Sequence, residues 1–491
     1  MIYTSESPDS ADNANPARRA GLAWPALAAL ARRISLPSML RSPTFLTVLA
    51  GVLLPNLLSL ATLVSFIDVG LPPRTGCILL YAALAMCARM LPFLVTAVLY
   101  LAILAFDIVW TLSVSFGLRP HDLVTAIDQA RRIHVLASPL YIALLSVMAA
   151  TTLSALFLLS RRHVMMRANL AVLLGAGLLV AATDFVSNAD AHYNFGAMFG
   201  AHVPVDSAIK ASGFNKVAGV NGRNVVLVIV ESLGNLNDDK ARARIVAPIY
   251  DPRVTAKYDV SDGRIVYYGS TTSAEMRELC DTRAPYAEFT KTSGVSCLPE
   301  RLQMRGYATT AVHGFYSGVF ERNRWYPKVG FEHMNFGEKL MPLFKRRCGT
   351  AFRGPCDADL PPVIEQAAAK TKRPDFIYWL TLNTHIPVAP GEALTHFHCE
   401  KADNGFGVAR VCRMAELWHD VFGAVAQLAL NPAIGPAEIL VVGDHAPPLW
   451  SKRGRGEFEA GKVPWYRLTP RDDVVASAFD GTGMDAAAAT P

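Results

Sequence analysis

Charge is scarce in this chain. Asp, Glu, Lys and Arg make up 18% of its 491 residues, against 52% hydrophobic, and the mean hydropathy is +0.26. A wholly water-soluble protein is excluded by that balance, and so is one lying entirely in a bilayer. Nucleic acid is not an expected partner, because the net charge is only +6 and no Lys/Arg block is interleaved with aromatics. The cysteines form no Cys-x-x-Cys couple of the zinc-site type. Solenoid repeats are missing, and ordinary Gly and Pro usage argues against low complexity. The first 43 residues have no apolar core and small-residue cleavage site of a secretory signal. They do carry Arg18, Arg19, Arg32, Arg33 and Arg41, and a cytoplasmic basic N-terminus over 1–43 is expected.

Almost every long apolar run lies before residue 187. A bilayer core of about 30 Å takes roughly 20 apolar residues to cross, and runs of that kind fall at 44–67, 73–91, 92–115, 138–160 and 168–187. They predict an α-helical membrane domain of about five transmembrane helices over 44–187. Arg89 and Pro92 are read as a tight turn. Arg161, Arg162, His163 and Arg167 then fall on the same side as Arg89 and the N-terminal arginines, as the positive-inside rule asks. The loop 118–137 is expected on the other side, where Leu123, Val124, Ile127, Ile133 and Val135 suit an interfacial amphipathic helix. An odd number of spans delivers everything from about residue 188 to the extracytoplasmic side. Asp107, inside the third run, is read as a helix-packing hydrogen bond, since no ladder of charges accompanies it.

Six cysteines in the polar half fall into three close couples, Cys280 and Cys297, Cys348 and Cys356, Cys399 and Cys412. In an oxidising compartment an even set reads as disulfides, with nearest-neighbour pairing expected. After a linker at 188–222, a catalytic domain is expected over 223–470 and a disordered tail over 471–491. Lys452, Arg453 and Arg455 are read as solvated loop charge.

From residue 224 short apolar runs alternate with helix-like stretches, the pattern of an α/β domain with a mostly parallel sheet. Asn224 to Val230 is continuously apolar and β-branched after its first residue, as a strand covered on both faces must be. Further strands are predicted at Arg264–Tyr268, Ala308–Val312, Asp375–Leu382 and Glu438–Val442. Each run stops at a chemically capable group: Glu231, Gly269-Ser-Thr271, His313, Thr384-His385 and Gly443-Asp-His445. In open α/β sheets ligands sit beyond the carboxyl ends of the strands, so these groups are expected to converge. Two carboxylates and an imidazole without thiolate suit a divalent cation of the zinc or manganese type. Coordination of a threonine hydroxyl would turn it into a nucleophile, and the helix-like stretch after Thr271 would turn its positive end toward a phosphate.

The set Val230-Glu-Ser232, Gly269-Ser-Thr-Thr-Ser-Ala-Glu-Met276, His313-Gly314 with Phe320-Glu-Arg322, Thr384-His-Ile-Pro387 and Gly443-Asp-His445 resembles the lipoteichoic acid synthase and phosphoethanolamine transferase branch of the alkaline phosphatase/sulfatase superfamily. The resemblance implies an alkaline-phosphatase-like fold for the extracytoplasmic half. It implies that Glu231, Thr271, Asp444 and His445 bind the metal, that Thr271 is the nucleophile, and that His313, Arg322 and His385 bind substrate. His385 would also shuttle a proton. His396 and His398 are candidates for a second metal or for the acceptor. Ser273 and Met276 depart from the teichoic-type pattern, which has Asp and an aromatic there, while Glu275 departs from the phosphoethanolamine pattern. The head group stays open between phosphoglycerol and phosphoethanolamine. No Cys/Ser-x-Pro-x-Arg stretch stands at Thr271, so sulfate ester hydrolysis is not expected.

The implied function is a metal-dependent transferase in the bacterial inner membrane, moving a phospholipid head group through phosphothreonine to an envelope glycan or glycolipid. A membrane-tethered phosphodiesterase and a non-catalytic glycan-binding envelope protein are the alternatives.

Overall fold

The computed structural model describes residues 41–472, except 64–67, 69, 120–121, 125–126, 128–131, 189–204, 219–221, 291–295 and 369–372. Nearly all of the basic N-terminus, parts of the linker and of the 118–137 loop, and the tail beyond 472 lie outside the described residues.

The apolar runs become helices. Three are long and apolar enough to cross a membrane: α3 (Phe93–Phe116), α4 (Pro139–Leu159) and α5 (Leu170–Asn188). Two are shorter, α1 (Pro43–Val48, continued by a π turn to Leu53) and α2 (Thr75–Cys87). The first predicted span is interrupted around Pro55, whose ring and missing N–H break the ladder, and resumes only at Leu57–Ala61. The turn expected at Arg89 and Pro92 is present, with Pro92 as the N-cap of α3. Arg162 donates to the carbonyls of Arg89 (2.8 Å) and Met90 (3.2 Å), and the Asn169 N–H to the Thr44 hydroxyl at 3.0 Å. One end of the bundle thus gathers the segments near 42, 89 and 162, while the other end touches the polar half.

Asp107 is not held by a simple packing hydrogen bond. It pairs with Arg74, whose Nε donates to Asp107 Oδ1 at 2.8 Å, and the Arg74 N–H donates to Asp184 Oδ2 at 2.7 Å. Sequence reading overlooked Arg74 because it sits at the border of a predicted span. An ionised group taken out of water demands such a partner.

The polar half is built on a seven-stranded sheet in the order β2-β9-β8-β1-β7-β3-β4. Its strands are β1 (Val225–Val230), β2 (Tyr258–Val266), β3 (Ala308–His313), β4 (His333–Asn335), β7 (Asp375–Leu380), β8 (Glu438–Gly443) and β9 (Lys462–Pro470). A small hairpin of β5 (Arg347–Cys348) and β6 (Gly354–Pro355) stands apart. β1 pairs in parallel with β7 and β8, β3 with β7 and β4, and β9 runs antiparallel to both β8 and β2. Because β2 is antiparallel to an antiparallel strand, it ends at the same edge as the parallel ones.

Strand alternation divides the core. Val226, Val228 and Val230 face a layer containing Trp418, Phe422 and Val425 of α7 (Ala409–Leu430). Val225, Leu227 and Ile229 face the opposite layer with Met276 and Leu279 of α6 (Thr271–Cys280) and with Trp325 and Tyr326. Three disulfides, Cys280–Cys297, Cys348–Cys356 and Cys399–Cys412, pair nearest neighbours as expected.

The two halves are tied together at several points. The His134 N–H donates to the Ala351 carbonyl at 2.9 Å and the Gly70 N–H to that of Trp450 at 2.6 Å. Two of the loop cations are not solvated as expected, since Lys452 Nζ donates to the Ser187 carbonyl at 2.7 Å and Arg455 to that of Gly70 at 3.1 Å, whereas the Arg453 side chain is exposed as expected and only its N–H donates to Asp68 Oδ1, at 3.0 Å. Lys452 and Arg455 thus tie this segment to carbonyls at the end of the helical bundle.

Candidate active site

Four strand ends and the start of α6 meet at one edge of the sheet. Glu231 follows β1 directly. Its N–H donates to Thr381 Oγ1 at 2.9 Å, and its carbonyl accepts from Thr384 Oγ1 and from Trp418 Nε1 at 3.3 Å. Ser232 follows in the left-handed region, φ +56, an uncommon place for a residue with a Cβ and one that clusters at functional sites. From there its N–H reaches Asp444 Oδ1 (2.7 Å) and its hydroxyl donates to Glu231 Oε1 (2.9 Å). One strained residue thus aligns both carboxylates.

Glu231, Asp444 and His445 each offer a ligand atom, and these atoms lie within 4.8 Å of one another. Thr271 Oγ1 joins them, 3.2 Å from Glu231 Oε2 and 3.4 Å from His445 Nε2. The His445 Nδ1 lies 2.9 Å from the Ala446 carbonyl. With that nitrogen protonated, Nε2 keeps its lone pair for the cluster. Asp444 Oδ2 is buried and accepts no hydrogen bond. Without a cation this crowding is costly. Burial pushes the Asp444 carboxyl up to about 7, against the pull of His445 and with the help of the Glu231 charge. Burial also opposes ionisation of Glu231, but His385, His445 and the hydroxyls of Ser232 and Thr271 outweigh it and hold its carboxyl below the usual range. The orphaned oxygen and the oxygen–nitrogen donor set fit a divalent metal ion.

Around this cluster stand the remaining predicted residues. His385 packs on Phe352 with ring centroids 3.9 Å apart, and its Nδ1 is 3.0 Å from the Ile386 carbonyl, which leaves Nε2 available. Burial lowers the pKa of its imidazole, with Glu231 opposing. His313 is buried, with Nδ1 3.0 Å from the Leu380 carbonyl. Burial and the neighbouring Arg322 bring its pKa down to about 3, so the ring stays neutral.

Arg322 is where expected, but its pair of parallel donors is not free for phosphate. Nε and Nη2 both reach Glu275, the latter at 2.9 Å. Glu275, one turn along α6 from Thr271, also accepts from the hydroxyls of Tyr326 and Tyr378. A buried guanidinium needs a counter-charge, and Glu275 supplies it. His396 and His398 are not brought to this site. Both are exposed, neither lines its cavity, and His398 Nδ1 lies 3.6 Å from Glu400.

Sequence reasoning missed Ser232 and Arg277. Arg277 is fully buried on α6, pairs with Glu278 (2.7 Å), and donates to the carbonyls of Gly443 (3.0 Å) and Asp444 (3.2 Å), so the helix that begins at Thr271 is bolted to the loop that carries Asp444 and His445. An Arg-Glu dipeptide in a helix carries no signal that both charges are buried.

A cavity of about 530 Å3 opens over the cluster. Glu231, Thr271, His313, Arg322, His385 and His445 line one part. The other part is apolar and belongs to the long apolar helices, with Leu104, Ile108 and Leu112 of α3 and Leu144, Leu145 and Met148 of α4.

The sulfatase family model matches residues 223–461. Similar solved structures include the lipoteichoic acid synthase LtaP from Listeria monocytogenes, at 16% identity and TM-score 0.41, with 50% of this chain and 65% of that one covered. The chain therefore spans just under two thirds of that relative. Another is the Streptococcus pyogenes phosphoglycerol transferase GacH in complex with sn-glycerol-1-phosphate, at 17% identity and TM-score 0.36, covering 55% and 79%. A third is the C-terminal periplasmic domain of EcEptC from Escherichia coli in complex with Zn, at 14% identity and TM-score 0.35, covering 52% and 75%. No curated protein matches the sequence. Residues 223–461, just under half of the chain, are thus the part that is similar to the sulfatase family.

Proposed function

We propose that this protein is a membrane-anchored, metal-dependent transferase that moves a phospholipid head group, phosphoglycerol or phosphoethanolamine, through a phosphothreonine on Thr271 to an envelope glycan or glycolipid. One observation carries the reading: a single cavity joins a hydroxyl set among metal-type ligands to an apolar wall of membrane helices. A soluble phosphate ester has no use for that wall, whereas a lipid head group at Thr271 would leave its acyl chains against α3 and α4.

A divalent cation, zinc or manganese, held by Glu231, Asp444, His445 and Thr271 would lower the pKa of the threonine hydroxyl and neutralise charge on the phosphate. Thr271 Oγ1 attacks the phosphorus of the lipid phosphodiester, the bond to the diacylglycerol oxygen breaks, and diacylglycerol leaves into the bilayer with a proton. In this reading His385 Nε2 takes the proton given up by the Thr271 hydroxyl, hands it to the departing diacylglycerol oxygen, and later takes one from the acceptor hydroxyl and returns it to Thr271. The acceptor oxygen then attacks the phosphothreonine and frees Thr271. Arg322 lines the cavity, and its Nη1, which does not reach Glu275, is the donor we assign to the phosphate oxygens, while Glu275 holds the guanidinium in place. Positioning and electrostatic stabilisation of this kind make up most of phosphoryl-transfer catalysis.

Sidedness follows from charge. Arg89, Arg161, Arg162 and Arg167 lie at the bundle end remote from residues 223–461, which by the positive-inside rule supports a position for that domain outside the cytoplasm, in our reading at a bacterial inner membrane. The disulfides agree with an oxidising compartment.

The test is the full chain in vesicles of phosphatidylglycerol or phosphatidylethanolamine, with and without added divalent metal and a glycan acceptor. Metal-dependent release of diacylglycerol with the head group found on the acceptor supports transfer. A head group released only to water would make the protein a phosphodiesterase, and no diacylglycerol release under any condition would overturn the reading.

A further inference from the structure

The C-terminal cap of α3 touches the segment that carries the nucleophile. Gly117 caps this helix with φ +62. A Cβ placed there would stand 2.7 Å from the carbonyl carbon of Gly269 and 2.9 Å from its Cα. Those are backbone atoms, so no rotamer change relieves the clash. Gly269, itself at φ +64, lies two residues before Thr271, where α6 begins. Any displacement of Gly269 therefore reaches the Thr271 hydroxyl and the first turn of its helix.

A second tie holds the other end of α6. Arg119, two residues past the cap, donates from Nη2 to the carbonyl of Arg283 at 3.2 Å. The Arg283 guanidinium lies over the Tyr268 ring at 4.2 Å, and the Tyr268 hydroxyl donates to the Thr282 carbonyl at 2.8 Å. The stretch from α3 to Arg119 thus brackets the nucleophile helix, touching it just before Thr271 and just after Cys280.

Resting on the function proposed above, we infer that Gly117 is a positioning residue: a membrane helix, through a side-chain-free contact with Gly269, sets where the Thr271 hydroxyl stands relative to Glu231 and His445. The sulfatase domain is then not a self-sufficient enzyme on a passive anchor. Its nucleophile is aligned by the membrane half.

The test uses the full chain in lipid nanodiscs with Gly117→Ala, Gly117→Asn and Arg119→Ala. Asn tolerates a left-handed backbone, so Gly117→Asn isolates the contact from backbone strain. Gly306→Asn is the control, because Gly306 has φ +86 and open space where a Cβ would go. Two readouts are taken, amide hydrogen exchange over 268–274 and the kcat and KM for diacylglycerol release. Both Gly117 variants are expected to raise exchange in that segment several-fold with 308–313 unchanged. They should also lower kcat by about 100-fold, the scale of a 1 Å misplacement, with KM within about twofold. Arg119→Ala should do the same more weakly, and Gly306→Asn should do neither. Unchanged exchange in Gly117→Asn overturns the inference whether or not the wild type is active. A wild type without diacylglycerol release sinks the proposed function while the exchange arm still decides the positioning. If neither Gly117 variant folds, Arg119→Ala decides alone, and exchange over 268–274 equal to wild type overturns the inference.

Discussion

Asp444 Oδ2 stands 3.3 Å from Nε2 of His445, buried and without a hydrogen bond. A native fold rarely leaves such an oxygen alone, and the neighbouring Glu231 carboxylate makes its isolation worse. The pair is arranged for a cation that both can ligate.

Asp444→Ala removes one ligand and the crowding with it. Metal analysis of the purified full chain should find near-stoichiometric zinc or manganese in the wild type and little in the variant. A ligand that binds only the folded state at a hundredfold excess over its Kd stabilises by about 2.7 kcal/mol. A chelator should therefore lower the melting temperature of the wild type and leave that of Asp444→Ala unchanged.

Ser232→Ala keeps every ligand but removes the hydroxyl that donates to Glu231. Loss of such an outer partner costs roughly 10–100-fold in metal affinity. Competition titration against a chromogenic chelator measures it, and affinity equal to wild type would mean that Ser232 only terminates β1.

Glu275→Ala strands the buried Arg322. Breaking a buried ion pair by removing one partner destabilises by about 3–5 kcal/mol. Urea unfolding of the full chain in detergent should register the loss. The double variant Glu275→Leu with Arg322→Met should recover much of the stability while remaining inactive.

His313 gives a pH signature. Its ordinary value is 6.5 and the folded value is about 3, so between these the unfolded chain binds a proton that the folded chain does not. The contribution to stability is fully present above about pH 6.5 and is lost as pH falls toward 3. Melting temperatures of His313→Gln should fall less steeply than those of wild type over that range. Parallel curves would contradict the neutral, buried assignment.

Much of this was legible in the residues, for identifiable reasons. β1, β3, β7 and β8 are buried along their whole length, and a strand covered on both faces leaves a continuous apolar run. β9 escaped because Pro464, Arg467 and Thr469 interrupt its pattern, and Pro464 is tolerated because it lies outside the Trp465–Leu468 stretch paired with β8. β4, at three residues, is too short to leave a period. Glu231, Thr271, Asp444 and His445, which the structure brings together, could be picked out because each follows a recognisable strand or opens a helix. Arg74 with Asp107 and Glu275 with Arg322 were not, since pairing between distant segments is set by tertiary packing alone.

If Thr271 carries the head group between donor and acceptor, peptide mass spectrometry will read the adduct on the protein itself. The full chain is incubated with donor vesicles and metal but no acceptor, quenched in acid and digested. A peptide spanning Thr271 should gain the mass of phosphoglycerol or phosphoethanolamine and lose it when acceptor is added. A wild type that releases diacylglycerol with Thr271 always unmodified, matched by Thr271→Ala at an equal rate, would contradict it.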